Sequence, residues 1–183
     1  MPSYPTSTVH KVGIKADAIK YIVAHSKLTS AQVKAIFQQV LERTLSDTKF
    51  ELTQWINSKV PKRTGQLRES LLRELNSSRV TGTILYLVIG AMVPYATQVN
   101  AYTTSNVRHL GTMYEHSGKK AYANYGGHHG PIYLDDPRAV GQFWDKLMTF
   151  IKERLFINLA KAKYEIAGGQ GITSRHYSKL VEM

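Results

Sequence analysis

Two helical patterns of the sequence meet in the stretch VPKRTGQLRESL, residues 60–71. Pro61 ends the first pattern, because proline lacks the N–H group that a helix interior needs. Thr64 is predicted to be the N-cap of the second helix, with Gly65 in its first turn, because a threonine oxygen can accept a hydrogen bond from a free N–H at a helix start. The stretch therefore predicts a sharp reversal between two helices.

Upstream of this turn, a long helix is predicted to begin at residue 29 and to end at Pro61. Thr29 or Ser30 can cap its start. Residues 1–28 are predicted to form an N-terminal arm or a short helix, because apolar residues between positions 14 and 23 follow helical spacing. The long helix is predicted from apolar residues that recur at the same spacing: Val33, Ile36, Phe37, Val40, Leu41, Leu45, Leu52, Trp55 and Ile56.

Downstream of the turn, a shorter helix is predicted to run to about Leu75, with Leu67 and Leu71 on its apolar side. Residues 83–89 then alternate apolar side chains on both faces, which predicts a strand covered on both sides. Residues 79–80 can form the other arm of a hairpin with this strand.

The segment from Pro94 to Pro131 is polar and aromatic, and it shows no clear periodicity. It is long for a compact domain, so it is either a sheet edge with long hairpins or a functional loop that orders against a partner. The histidines of this segment are of a type that can bind a metal ion. Their spacing lacks the i, i+4 pair of a helical metal site, so no metal site is predicted. Residues predicted to serve an interface are Tyr102, His109, Tyr114, His116, Tyr122, Tyr125, His128 and His129.

The last helix is predicted to open at Asp135-Asp136-Pro137 and to carry an apolar stripe to about Ile166. The glycine-rich residues 168–171 end it, and residues 168–183 are predicted to form a flexible C-terminal tail. The sequence therefore predicts a single α+β domain over residues 29–167. Its long helix, short second helix and C-terminal helix pack on a small, mostly antiparallel sheet.

The composition sets limits on function. The chain of 183 residues is long enough for one core of ordinary size. It contains no cysteine, which excludes a disulfide scaffold, a cysteine nucleophile and thiolate-ligated metals. No apolar stretch approaches the roughly 20 residues of a membrane helix, and no secretory signal is predicted. The formal net charge of +11 favours a polyanionic partner.

No catalytic centre is predicted. Asp135 and Asp136 could act as paired carboxylates in metal-assisted phosphodiester cleavage, but helix capping before Pro137 explains them better. The glycine-rich stretches lack the lysine and the following helix of a phosphate loop, and neither Ser70 nor Ser105 lies in a nucleophile motif. The sequence predicts no catalytic residue, no metal and no cofactor.

The densest basic patch surrounds the turn at residues 60–71. No aromatic residues are interleaved with its cations, so it is not a stacking platform for single strands, and it carries no sequence-reading motif. A sequence-independent contact with nucleic-acid phosphates is compatible with it. The alternative is a contact with an acidic neighbouring protein. The residues predicted to make this contact are Lys62, Arg63, Arg68 and Arg73.

The stretch 60–71 resembles the tail-completion, or neck, family of long-tailed double-stranded DNA bacteriophages. In that family a long helix leads to a Pro-x-x-Thr-Gly-x-Leu-Arg-x-Ser-aliphatic segment and a strand. A Tyr-Ala segment, a Gly-Thr loop and a proline-containing turn before a C-terminal helix follow. The order of elements is similar over about residues 30–165. The residues that match are Pro61, Thr64, Gly65, Leu67, Arg68, Ser70, Leu71, Tyr95, Ala96, Gly111 and Thr112.

This resemblance implies a non-enzymatic structural protein of the virion neck, made in the host cytoplasm. It would form a six-fold or twelve-fold ring between a portal, adaptor or stopper ring and the tail-terminator or tail-tube proteins. DNA would pass through the bore, where the basic patch would contact it without sequence preference. The alternative is a basic, sequence-nonspecific nucleic-acid-binding protein that acts without a ring, and a metal-dependent nuclease is the third reading.

Overall fold

The structure is a computed structural model. At residues 97–98 and 181–182, and at the described positions between 112 and 134, only the backbone is described. The described residues are 7–62, 64–101, 112–113, 115–116, 119–120, 122–125, 128–131, 133–134, 138–170, 172 and 181–182.

The N-terminal segment begins with strand β1, Thr8–Ile14, followed by helix α1, Ala16–His25. The helical spacing between residues 14 and 23 correctly indicated α1. Strand β1 was not predicted, and it corrects the expectation of an arm, because Val12 and Ile14 are buried in the core. The alternation along β1 is weak since its inward positions include the polar Thr8 and His10.

Helix α2, Ser30–Lys59, is the long helix that the sequence predicted. Thr29 is its N-cap and forms a capping box with Gln32. The Gln32 backbone N–H donates to Thr29 Oγ1 at 3.3 Å, and the Thr29 backbone N–H donates to Gln32 Oε1 at 2.8 Å. These bonds satisfy N–H groups that the helix itself leaves free, and they fix where α2 begins.

Helix α3, Gln66–Asn76, leads into a hairpin of β2, Arg79–Thr81, and β3, Ile84–Ile89. The hairpin was predicted, but only one face of β3 is fully covered. Leu85, Leu87 and Ile89 are completely buried, whereas the alternate residues are partly exposed. The expectation of a strand covered on both sides is therefore wrong, and the sheet keeps an open face.

A short helix, α4, Ala96–Ala101, follows. Beyond it the described backbone forms short antiparallel pairs. Strands β4, Thr112–Met113, and β9, Tyr133–Leu134, pair with each other. Within them, β5, Glu115–His116, pairs with β6, Lys119–Lys120, and β7, Tyr122–Tyr125, pairs with β8, His128–Pro131. Each of these pairs is a separate two-stranded sheet, and no described pairing joins them to the main sheet.

The C-terminal helix α5 spans Phe143–Ala162 and continues into a π-helical turn, Lys163–Ala167, and a 3₁₀ turn, Gly168–Gln170. It begins later than predicted from Asp135-Asp136-Pro137, which lie outside the described residues. The described part of the C-terminal segment is not a free tail. Ile172 is buried, and strand β10, Val181–Glu182, pairs with β1.

The main sheet has the strand order β10-β1-β3-β2, and its described pairs are antiparallel. The helices pack on its inner face, so the fold is α+β as the sequence predicted. Helix α5 lies along α2, where Trp55 and Phe150 stack with ring centroids 5.8 Å apart. Asn158 Nδ2 donates to Thr48 Oγ1 at 3.2 Å and to Glu51 at 3.1 Å in the same seam.

Candidate functional site

The turn between α2 and α3 reverses the chain at Gly65. This residue is the N-cap of α3 and has φ +91°, a left-handed backbone conformation that favours glycine. The Glu69 N–H donates to the Gly65 carbonyl at 3.0 Å. The cap position makes no side-chain hydrogen bond, and Thr64 is exposed. The prediction that Thr64 caps the helix is therefore wrong, because the left-handed glycine provides the reversal.

Arg68 ties the two helices together. From the first turns of α3 its Nε donates to the Val60 carbonyl at 2.6 Å, and its Nη1 donates to the Asn57 carbonyl. Both acceptors lie at the C-terminal end of α2, where helix carbonyls lack partners within the helix and where a cation is favoured by the helix dipole. This guanidinium is partly buried and committed to the helix end, which differs from its predicted role as a DNA contact.

The other motif residues are also structural. Ser70 is buried, and its Oγ accepts a hydrogen bond of 2.6 Å from the Met92 N–H, which fixes the chain just after β3. Pro61, Leu67 and Leu71 are buried beneath the turn.

The Tyr95-Ala96 segment starts α4, with Ala96 buried and Tyr95 packed against the core. Helix α4 places Asn100 at the start of α5. Asn100 is buried, and its Oδ1 accepts a 2.8 Å hydrogen bond from the Trp144 N–H. Gln142, which precedes α5, makes no side-chain capping bond. Asn100, which is distant in sequence, therefore supplies a capping contact at the start of α5.

The remaining cations of the predicted patch are separate from this network. Lys62 and Arg73 are exposed, and Arg63 lies outside the described residues. Exposed or partly exposed carboxylates at Glu69 and Glu74 lie on the same helix as Arg73. The turn thus offers fewer available positive charges than the sequence indicated.

The predicted interface residues fall largely beyond the side chains that are described. Of these, Tyr102, His109 and Tyr114 lie outside the described residues, as does Gly111 of the family motif. The backbone alone is described for the others, which are distributed over short strands, and Tyr125 pairs with His128 across β7 and β8. The interface residues whose backbone is described are His116, Tyr122, Tyr125, His128 and His129. The backbone of Thr112, a residue of the family motif, is also described.

The open face of the main sheet carries a row of residues that the sequence analysis missed. Lys11, Tyr86 and Arg79 are direct partners across β1, β3 and β2. Lys11 Nζ lies 5.7 Å from the centroid of the Tyr86 ring, and Arg79 Cζ lies 5.5 Å from it. Both separations are within the range of cation–π attraction.

A second surface is apolar. On α5 and the π-helical turn, Phe156, Ile157 and Tyr164 are 61%, 48% and 82% exposed, and Phe50 on the neighbouring α2 is 65% exposed. Scattered apolar residues are normal on a protein surface, but large exposed aromatics concentrated on one helix indicate an interaction surface.

An open groove of about 390 Å³ lies between the end of α2 and the start of α5, with Trp55 and Phe150 in its lining. Its charged side chains are two lysines and two carboxylates. Over the described part of the chain, no group of three or more histidine, aspartate or glutamate residues is placed to hold a metal ion.

His10 lies at an inward position of β1, and its environment shifts its pKa. Burial, with a smaller effect from the positive charge of Lys152, lowers the pKa of its imidazole below the ordinary 6.5. Its Nε2 is buried and has no hydrogen-bond partner in the described part of the molecule. Burial also lowers the pKa of Lys163.

No family model, no curated protein and no solved structure matches this chain. Among the described helices, none has both the length and the apolar character needed to cross a membrane.

Proposed function

We propose that this chain is a structural head-tail joining protein of a tailed phage or phage-like particle, located in the virion neck. It acts as one subunit of a six-fold or twelve-fold ring between the portal complex and the tail. Its neighbours are a portal, adaptor or stopper ring on the head side and tail-terminator or tail-tube proteins on the tail side. DNA passes through the bore, and the protein catalyses no reaction.

The observation that supports this proposal most is the construction of the turn at residues 60–71. Gly65 reverses the chain, Arg68 holds the end of α2, and Ser70 holds the exit of β3. These three residues, which carry part of the resemblance to the neck family, thus each help to position elements of the fold. None of these three residues is left available for chemistry, which favours a structural protein.

The exposed aromatics on α5 support assembly. A subunit of a ring needs an apolar patch that another copy covers, and burial of such area drives association. Phe156 and Tyr164 are large, exposed and carried on a rigid helix and its extension. Aromatic residues in such a position are typical anchors of protein interfaces.

Light scattering and negative-stain electron microscopy of the purified full chain test the ring. We expect closed rings, and we expect the double substitution Phe156→Asp and Tyr164→Asp to convert them to folded monomers. Met92→Asp is the matched control, because Met92 is 58% exposed but lies away from α5. A wild-type chain that stays monomeric, alone and with portal and tail components, contradicts the proposal.

DNA affinity separates the ring component from the free nucleic-acid-binding protein. A free binder holds duplex DNA as a monomer, with an affinity that falls steeply with salt. For a ring component we expect the assembled form to bind much more tightly than the dissociated double variant. Equal affinity per chain for the two forms favours the free binder.

A further inference from the structure

The open face of the main sheet holds two cations in fixed places. Lys11 and Arg79 flank the Tyr86 ring from the neighbouring strands on either side. Strands lie about 4.8 Å apart, so the two cationic residues start about 10 Å from each other across the sheet. Attraction to the ring restricts both flexible side chains, which lowers the entropy lost when they bind a ligand.

Within the described register, the one acidic residue that shares this face with the two cations is Glu182, the partner of Gly13 on β10. Residues whose positions share the face through the strand register are Val9, Gly13, Ile84, Val88, Thr81 and Glu182, besides the row itself. Neither Lys11 nor Arg79 takes part in a described ion pair. By register the face carries two cationic residues and one acidic residue, so its net charge is positive. One of its margins is apolar, where Val9 is 47% exposed.

We propose that this face, centred on Lys11, Tyr86 and Arg79, binds the phosphate backbone of duplex DNA without sequence preference. The two cations supply charge for phosphates, and the register supplies their spacing. The row contains no Asn or Gln side chain to read base edges. Because the cations already lie near the aromatic ring, stacking of a single-stranded base on it is disfavoured, which favours duplex over single strands.

The choice of surface follows from comparison with the turn. At the turn, Arg68 is committed to backbone carbonyls, and Arg73 shares its helix with Glu69 and Glu74. On the sheet face neither cation has a described backbone acceptor, and the acidic residue Glu182 pairs with Gly13 and not with Lys11 or Arg79. Identifying the phosphate polymer as duplex DNA rests on the proposed function, whereas the cationic row exists in the single chain whether or not rings form.

Fluorescence anisotropy with a duplex of 30 base pairs, measured over a series of salt concentrations, tests the proposal. We expect Lys11→Gln with Arg79→Gln to weaken binding about tenfold at low salt and to reduce the slope of log K against log salt by about two, one for each cation. Lys62→Gln with Arg73→Gln removes the same charge and is the matched control, for which we expect a change within twofold. An equal or larger effect of the control pair overturns the proposal.

The tyrosine has its own variants. Tyr86→Phe keeps the ring, so we expect affinity close to wild type, whereas Tyr86→Leu releases both cations and should weaken binding about threefold, in line with a cation–π attraction of about 0.5–1 kcal/mol. Thermal unfolding of each variant identifies any loss of fold. If Tyr86→Leu folds and binds as well as wild type, the ring does not position the cations and the proposed site is wrong.

Two further measurements distinguish this inference from the proposed function. Polyglutamate serves as a probe for an acidic protein partner. If polyglutamate binds, if Lys11→Gln with Arg79→Gln weakens that binding, and if duplex DNA does not bind, the assignment to DNA is overturned and an acidic protein is the partner. Electron microscopy of the sheet-face variant reports on the ring. Intact rings with unchanged DNA affinity overturn only the inference, whereas variant-sensitive DNA binding by a chain that never forms rings overturns only the proposed function.

Discussion

Arg68 and Arg79 are cationic residues that lie close together in sequence, yet their guanidinium groups have different surroundings. Arg68 is partly buried and donates to two carbonyls at the end of α2. Arg79 is exposed and lies near the ring of Tyr86 on the open sheet face. The difference teaches that the density of charge along a chain does not measure the charge available at a surface. Backbone carbonyls can hold a cationic side chain in hydrogen bonds, and that side chain is then not available to bind a partner molecule.

The largest effect is expected when this difference is tested directly. Arg68→Ala should lower the free energy of unfolding by about 2 kcal/mol, because charge-assisted hydrogen bonds are lost and the partly buried carbonyls of α2 lose their donor. Arg79→Ala should change it by less than about 0.5 kcal/mol, as exposed substitutions usually do. Urea denaturation measures both values. Equal losses at the two positions would show that Arg68 has no special role in the turn.

The inner face of β1 differs from the open face in carrying His10, whose protonation makes the stability of the protein depend on pH. On the inner face His10 has a pKa below the ordinary 6.5, so between its native pKa and 6.5 the unfolded chain binds more protons than the native one. The stabilising contribution is present above pH 6.5 and is lost as the pH falls through the native pKa. We therefore expect the melting temperature of wild type to fall relative to His10→Gln on acidification below pH 6.5. Parallel curves for the two proteins would contradict the buried neutral imidazole.

The smallest effect is expected at Thr64. Its side chain caps no helix, so Thr64→Ala should change the free energy of unfolding by less than about 0.5 kcal/mol. Gly65→Ala is the informative neighbour. An alanine at φ +91° is strained, and we expect a loss of about 1–2 kcal/mol. If the substitution at Thr64 lowers the free energy of unfolding more than the one at Gly65 in the same urea series, the Thr64 side chain does cap the helix.

Local patterns predicted much of the helical structure. Helix α2 follows a long apolar periodicity with a capping box at Thr29, and the hairpin of β2 and β3 follows a turn signal, so both were predicted. Strand β1 was not predicted, because the polar residues Thr8 and His10 occupy inward positions and obscure the alternation of apolar and polar residues. The start of α5 could not be located from sequence either, since Asn100 supplies its capping contact from α4.

The candidate site was harder to predict than the fold. The stretch 60–71 identified the right residues, but their hydrogen-bond partners are carbonyls and N–H groups that every residue carries, and composition does not distinguish them. The cationic row needs the register of three strands before Lys11 and Arg79 can be placed beside Tyr86. Positions so far apart in sequence give no local signal.

The pairing of β1 with β3 and β10 determines the order in which the protein can be completed during synthesis. Gly13 pairs with Ile84, so β1 leaves the ribosome about 70 residues before its neighbour exists, and its other edge is filled only when Val181–Glu182 follow. Contacts this distant in sequence slow folding, because a long loop must close before they contribute. The α1–α2 pair can form earlier from local contacts. A nascent chain released before residue 84 would therefore present a helical fragment with an uncovered apolar side, a ready substrate for chaperones and proteases.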